Sequence, residues 1–359
     1  MNIAGFLAPI AVYALITALH LVLPARGVDG YVVDPATSKP YHYRLNGLSV
    51  YLLTVALWAL ACSRGWLAWD FFWTTRWQGL AGACTLGLIF TLSVVFTAPR
   101  SGQGLAADLF LGRAWNPQWL GHRLDAKMWL YMVGATMLGL NLYSFAMHHW
   151  LTFPRDPSPG VMLYIGLFTF FLCEYLYFER VHLYTYDFFA ERVGFKLGWG
   201  CLVFYPYFYG VGLWSVADLP NPHPPAVLLI GAAVLFFSGW TLARGANMQK
   251  YSFKRDPDAV FLGLIAPQAL SDGQNKLLVS GFWGAARHIN YLGEFLMAIG
   301  LALALGYPGH IGPWLYPLYY VALLIPRQID DNRRCAAKYG ALWNDYLKRV
   351  PYRIVPGVY

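Results

Sequence analysis

The sequence predicts an all-α polytopic membrane protein, and three observations carry that expectation. Hydrophobic residues make up 58% of the 359 residues, charged residues only 12%, and the mean hydropathy is +0.43. A soluble globular chain has about 25% charged and roughly 45–50% apolar residues, so too few charges remain here to cover a soluble surface. Apolar runs close to the ~20 residues that cross a bilayer recur along the chain. The same figures exclude disorder, collagen and a secreted disulfide scaffold, and the aromatic share of 18% is high even for a membrane protein.

In chain order, spans are expected over 4–24, 46–63, 79–98, 128–148, 160–178, 197–217, 224–243, 291–306 and 311–325, about nine in all. Met1-Asn2-Ile3 lacks a basic n-region, so the first run reads as a retained span. Pro206 is expected to break the run at 197–217, and the two closely spaced last runs read as a helical hairpin. Connectors 25–45, 99–127, 179–196 and 244–290 hold most of the basic residues, while those near 218–223 and 307–310 have no Lys or Arg. That alternation fits a basic cytoplasmic side. The net charge of +8 and pI near 9.1 therefore follow from topology and need no nucleic-acid partner. No repeat or linker divides the chain, which reads as one integral domain over 1–359, multi-pass in the endoplasmic reticulum of a eukaryote or the inner membrane of a bacterium.

The five cysteines (Cys62, Cys84, Cys173, Cys201, Cys335) are odd in number and form no CxxC pair, so neither a disulfide framework nor a zinc site is expected. No HExxH, P-loop or GxGxxG after a strand occurs, which leaves no expected metal and no Rossmann nucleotide site.

Polar residues concentrate in three segments of the last third, each beside a span. In Arg244-Gly-Ala-Asn247-Met-Gln249-Lys250-Tyr-Ser-Phe-Lys254-Arg255, Lys250 and Lys254 share a helix face and suit one phosphate; the bland alternative is a positive-inside run. In Gly281-Phe-Trp283-Gly-Ala-Ala-Arg287-His288-Ile-Asn290-Tyr291-Leu-Gly293-Glu294, Arg287, His288 and Asn290 at a helix start can hold an anion. Glu294 enters the membrane, where a carboxylate is costly. From Arg327, the residues Asp331, Arg334, Cys335 and Lys338 recur at three- and four-residue spacing and form one charged stripe. Ion pairs on a solvated helix explain most of that stripe, with Asp331 kept as the acid nearest the membrane. Three polar segments at the cytoplasmic ends of a bundle can line a cationic pocket, where a water-soluble anion meets a lipophilic substrate. Upstream, the Tyr205-Pro206-Tyr207-Phe-Tyr209 run reads as core or belt, or as a phenol beside a substrate. Glu174 and Glu179 read as buried ion-pair partners.

These residues resemble the membrane sterol reductases. The resemblance rests on Leu277-Leu278-Val-Ser-Gly-Phe-Trp283-Gly-Ala-Ala-Arg287-His288-Ile-Asn290-Tyr291-Leu-Gly, on Cys335-Ala-Ala-Lys338-Tyr339-Gly with Trp343, Tyr346 and Val350-Pro351-Tyr352-Arg353, and on Arg244-Gly-Ala-Asn247-Met-Gln249-Lys250. It runs from about residue 105 to the C-terminus and more loosely includes Gly112-Arg113-Ala-Trp-Asn116-Pro117 with Asp125 and Lys127. The resemblance implies a bundle of about ten transmembrane helices, with a cofactor pocket in the C-terminal half open to the cytoplasm. N-terminal helices would occupy 1–100, substrate-side helices 105–243 and the NADPH-binding part 244–359.

Carried onto matching positions, the resemblance implies cofactor contacts from Lys250, Lys254, Leu278 and Trp283, from Asn290, Tyr291 and Arg327, and from Asp331, Cys335, Lys338, Tyr339 and Tyr346. Tyr209 falls at a substrate-side tyrosine and Asp331 at an acid near the nicotinamide, so these two are the candidate catalytic residues. Lys254 stands where arginine is usual, Glu294 where aspartate is, and Ala114 and Gln118 replace Glu and Arg of the loop motif. The implied reaction is NADPH-dependent reduction of a double bond in a sterol or sterol-like membrane lipid. Gly198-Trp-Gly-Cys201 and Gly281-Phe-Trp-Gly look closer to Δ7 than to Δ14 reductases, so Δ7 is favoured and Δ14 is next. The rival readings are a membrane methyltransferase of the isoprenylcysteine or phospholipid type using S-adenosylmethionine, and a non-catalytic sterol-binding protein.

Overall fold

The computed structural model of the chain describes every residue except Met1 and Ala36. Two compact units form, Met1–Pro222 and His223–Tyr359. The architecture is helical and multi-pass. Among the described residues five helices are long and apolar enough to cross a membrane.

The first unit begins with α1 (Ile3–Val22), a hairpin of β1 (Arg26–Val33) and β2 (Pro40–Leu45), and α2 (Gly47–Ser63). Next come α3 (Arg76–Thr97), a two-residue pairing of β3 (Gln118–Trp119) with β4 (Leu124–Asp125), α4 (Ala126–Thr152) and α5 (Pro159–Tyr177). The hairpin closes the open end of α1. Arg44 donates from Nε to His20 O at 3.0 Å and from Nη2 to Leu23 O at 2.5 Å, satisfying carbonyls that a helix C-terminus leaves without partners. Tyr43 of β2 is 1% exposed and anchors the hairpin edge-on against Phe188.

Helix α4 is the buried centre of this unit. Asp125 caps it, accepting from the N–H groups of Lys127 at 3.0 Å and Met128 at 2.9 Å. Burial nevertheless pushes the Asp125 carboxyl up to about 6, against those hydrogen bonds and the charge of Lys127. One face of the helix carries Lys127, Tyr131 and Gly134, and the glycine lets Tyr205 and the Cys201 carbonyl approach closely.

The apolar run expected as a proline-broken span at 197–217 is a π-helix over Phe195–Phe204 followed by short α-helices Tyr205–Phe208 and Val211–Val216. The change of hydrogen-bond register, not Pro206, ends the first piece. Pro206 lies in the first turn of the next helix, where its missing N–H costs nothing. Its carbonyl accepts from Asn141 Nδ2 at 2.9 Å.

Glu179 departs from the expectation of a buried ion pair. Its Oε2 accepts from Gly47 N at 3.0 Å, so the carboxyl serves the first turn of α2. Burial pushes its pKa up to about 8 although that hydrogen bond pulls the other way. A folded-state pKa above the unfolded one means stability is fully present below the unfolded value and is lost as pH rises toward about 8.

In the second unit α6 (Ala226–Arg255) packs against α7 (Ile289–Ala304), and a turn leads to α8 (Ile311–Tyr339). Between α6 and α7 lies a hairpin of β5 (Ala269–Ser271) and β6 (Lys276–Leu278). Gly340, at φ +53°, turns α8 into α9 (Ala341–Arg349). Backbone contact sets the α6–α7 crossing. A Cβ on Gly239 would lie 2.5 Å from Gly293 O, and one on Gly300 2.8 Å from Ala232 O. Small residues at such a crossing let helices gain dispersion contacts where lipid offers no hydrophobic drive.

Two outcomes test this account. Gly293→Val should destabilise the second unit by about 1–3 kcal/mol or more by overpacking, whereas Gly231→Ala, with nothing within 4 Å of the new Cβ, should leave the thermal midpoint in detergent unchanged. Glu179→Gln should flatten the loss of thermal stability that the native protein shows between pH 5 and 8.5. Parallel slopes in the two proteins would contradict the burial of Glu179 as the cause.

Candidate functional site

The second unit gathers its polar residues from four elements. The last turns of α6 carry Gln249, Lys250 and Lys254. Gln249 is 2% exposed and works as a clamp. Its Nε2 donates to Ser280 O at 3.1 Å and its Oε1 accepts from Phe282 N at 3.0 Å, fixing the turn before the short helix Phe282–Ala285. Trp283 Nε1 donates to Ala246 O at 2.7 Å, which lays the indole along α6 with Lys250 Nζ 5.4 Å from its ring centroid. Ala246, Ala286 and Ile289 pack as one apolar cluster beneath.

Helix α8 presents Arg327, Asp331, Cys335 and Lys338 along one stripe, past the apolar stretch of that helix. Burial raises the Asp331 carboxyl above its ordinary pKa, opposed by the positive charges of Lys250, Arg334 and Arg327 and reinforced by Asp330. Cys335 Sγ lies 4.0 Å from Asp331 Oδ2, and burial beside that acid pushes the thiol up to about 12. It is thus a neutral thiol at physiological pH. The charge of Lys338 also bears on Lys254. From α9, Trp343 and Tyr346 stack at 5.0 Å and Tyr346 donates to Trp283 O at 3.4 Å, while Tyr339 lies parallel to Trp343 at 6.3 Å. Lys250, Lys254, Trp283, Asp331, Cys335, Lys338 and Tyr346 are therefore linked by contacts or by charge within one unit.

The remaining expected cofactor contacts are in the same unit. Leu278 is buried at the end of β6. Tyr291 stacks on His288 at 4.9 Å and 19°. Among the described residues Asn290 Oδ1 is buried with no hydrogen-bond partner. The expected anion cradle of Arg287, His288 and Asn290 at the start of α7 is not formed in that way. Arg287 N and His288 N already donate to Tyr352 O at 3.0 Å and Arg353 O at 2.7 Å. Burial and the charges of Arg287, Lys250 and Arg353 depress His288 to about 3, so it is a neutral, packed ring. The folding back of 350–359 was not foreseen, since main-chain bonds carry no side-chain pattern. Tyr209 belongs to the first unit, its ring 4.6 Å from that of Tyr205.

The first unit holds a second polar cluster. Lys127 is 0% exposed, and its Nζ donates to Asp187 O at 2.8 Å, Phe188 O at 3.2 Å and Glu191 O at 2.7 Å. Tyr131 donates to Asp187 Oδ2 at 2.5 Å, and Lys196 pairs with Glu191 at 2.6 Å. Arg113 and Asp108 form a buried pair at 2.7 Å that ties the loop at 112–117 to the end of α3.

A bundle whose polar end combines lysines, an indole, stacked rings, an amide and a carboxyl whose proton affinity burial raises suits a phosphorylated aromatic cofactor. Replacing Lys250 by Met removes the largest charge that opposes the rise at Asp331. The carboxyl C=O stretch of Asp331, assigned by its loss in Asp331→Asn, should then titrate at higher pH in Lys250→Met than in the native protein. A shift downward would refute this electrostatic account.

Comparison with known proteins identifies the lineage. The model of the Ergosterol biosynthesis ERG4/ERG24 family matches residues 4–359. The chain is similar to a Delta(14)-sterol reductase of Arabidopsis thaliana, 30% identical with 94% of this chain and 91% of the relative covered. It is also similar to a Delta(14)-sterol reductase of Methylotuvimicrobium alcaliphilum, 32% identical with 95% and 80% covered. A probable 7-dehydrocholesterol reductase of Acanthamoeba polyphaga mimivirus is 28% identical with 95% and 78% covered. With the match spanning all but the first few residues, this chain belongs to the ERG4/ERG24 family of ergosterol biosynthesis.

Proposed function

We propose that this protein is a membrane sterol reductase that saturates a ring carbon–carbon double bond with NADPH as reductant. The observation that carries the proposal is the meeting of Lys250 with Asp331, whose proton affinity burial raises, with Lys254 and Lys338 gathered about the neighbouring Cys335. The names of the relatives support the substrate class, since they are reductases of sterols.

The residues fit the cofactor. Lys250, Lys254 and Lys338 would neutralise its phosphates, with Trp283 and Tyr346 as flat walls. Asn290 Oδ1 would receive an amide N–H of the kind a nicotinamide carries. When bound, NADPH supplies a hydride equivalent.

An isolated alkene is a poor hydride acceptor, so a proton must reach it first. We assign that proton to Asp331. Its O–H bond breaks, a C–H bond forms on one alkene carbon, and the other carbon becomes a tertiary cation. The carboxylate left behind faces Lys250, Arg334 and Arg327, whose charges stabilise it, and a proton from water restores the acid. Cys335, held neutral, adds no competing negative charge beside it. Tyr209 is kept as a candidate substrate-side phenol of the first unit, where its ring packs against that of Tyr205.

The ring position has two readings. Δ14 reduction is favoured by relatives of that name covering 94–95% of this chain. Δ7 reduction is favoured by Cys201 after Gly198-Trp-Gly and by a relative named a probable 7-dehydrocholesterol reductase.

Incubation of the purified protein with NADPH and Δ7, Δ14 and Δ24 sterols, with products read by mass spectrometry, tests the proposal. Reduction of none of them would overturn it, and saturable binding of S-adenosylmethionine in place of NADPH would turn it into a methyltransferase. Asp331→Asn should abolish turnover while leaving NADPH affinity within about threefold, because one neutral amide replaces a buried acid without removing a phosphate contact. Full activity in that variant would remove Asp331 from the chemistry.

A further inference from the structure

Two arginines of the second unit are brought near each other by backbone bonds from Arg287 N and His288 N to Tyr352 O and Arg353 O. Arg287 is 8% exposed, and its guanidinium makes one long hydrogen bond, from Nη1 to Val350 O at 3.4 Å. Arg353 donates from Nη1 to Tyr359 OH at 3.1 Å and lies 5.3 Å from the centroid of that ring. Among the described residues neither guanidinium is within ion-pair distance of a carboxylate. The charge of Arg353 acts on Arg287, as do the phenols of Tyr346 and Tyr359.

The arrangement is held rigidly. Tyr352 O and Arg353 O accept from the backbone N–H groups of Arg287 and His288, which pins the two arginines side by side. Gln328, 1% exposed on α8, donates from Nε2 to Tyr359 OH at 3.2 Å. The Tyr359 oxygen thus receives hydrogen bonds from Gln328 and Arg353, which leaves its own proton to donate outward.

A buried guanidinium such as that of Arg287, with a second cation near it, destabilises a fold unless an anion joins them. A phosphate ester carries several oxygens and up to two charges, and it suits the planar forks of two guanidiniums better than a single carboxylate does. We propose that Arg287 and Arg353 form a phosphate-binding pair distinct from the lysines of α6 and α8, and that the phosphate it takes is the diphosphate bridge of the dinucleotide. The inference rests on the NADPH reading above for its ligand, but not for its anion chemistry. It adds Arg287, Arg353 and Tyr359 to the site, and it gives the folded-back segment 350–359 a role in binding.

The test uses the full chain in phosphatidylcholine nanodiscs at low salt, with Arg353 as the target because its exposed side chain should tolerate replacement. Titration calorimetry with inorganic pyrophosphate should show saturable binding that weakens about tenfold or more in Arg353→Gln and recovers to within about threefold in Arg353→Lys. NADPH affinity should fall in step in Arg353→Gln, while that of adenosine 2′-monophosphate should stay unchanged. No pyrophosphate binding, or equal binding in Arg353→Gln, overturns the pair. Pyrophosphate binding that depends on Arg353 beside an unchanged NADPH affinity overturns the diphosphate assignment. Displacement of pyrophosphate by phosphatidic acid added to the nanodiscs also overturns it, in favour of a lipid headgroup. Should the native protein bind pyrophosphate through Arg353 but not NADPH, the phosphate pair stands and the cofactor reading falls.

Discussion

The polar site of the second unit depends on a backbone contact inside the bilayer region. Gly239, Gly293 and Gly300 let α6 and α7 touch without side chains between them. That closeness brings Ala246 of α6 against Ala286 and Ile289, and it lets the Trp283 indole reach the Ala246 carbonyl. Lys250 follows Ala246 by one turn, so the lysine and the indole meet because the crossing beneath them is tight. A wider crossing would separate Lys250 of α6 from the loop that precedes α7. The glycines therefore act on the chemistry through distance alone.

Around this frame the electrostatics are one-sided. Lys250 acts on Asp331 and Cys335, where its charge opposes the larger effect of burial, and on His288, where it adds to it. Burial raises the acid and the thiol and lowers the imidazole, so all three groups tend to neutrality. The cations remain as the fixed charges. Such a balance leaves the site net positive around Asp331.

Legibility in the sequence followed the kind of interaction. Lipid-facing helices were readable because apolarity alone specifies them, as at 4–24 for Ile3–Val22 and 160–178 for Pro159–Tyr177. The stripe from Arg327 to Lys338 was readable because three- and four-residue spacing maps directly to one helix face. Hydropathy is blind to hydrogen-bond register, so the π-helix at Phe195–Phe204 appeared only as one more apolar run. The hairpin Arg26–Leu45 lay hidden inside a polar connector. A buried acid such as Glu179 invites a base in any reading of sequence alone, whereas in the fold a helix start supplies an N–H to it instead. The segment 350–353 gave its motif but not its path, since its contacts to Arg287 and His288 are made by carbonyls.

The caged ammonium of Lys127 has a consequence for how the first unit is specified. Three carbonyls of the 187–191 turn converge on it much as filter carbonyls converge on a permeant ion, except that this ion is tethered sixty residues upstream. The turn is thereby templated by a cation of one size and shape. A guanidinium is planar and too broad for such a ring, and an amide brings no charge to organise it. The turn and the lysine form a single inherited module: grafting the loop into a relative without its lysine would transfer the letters of the loop and lose its conformation.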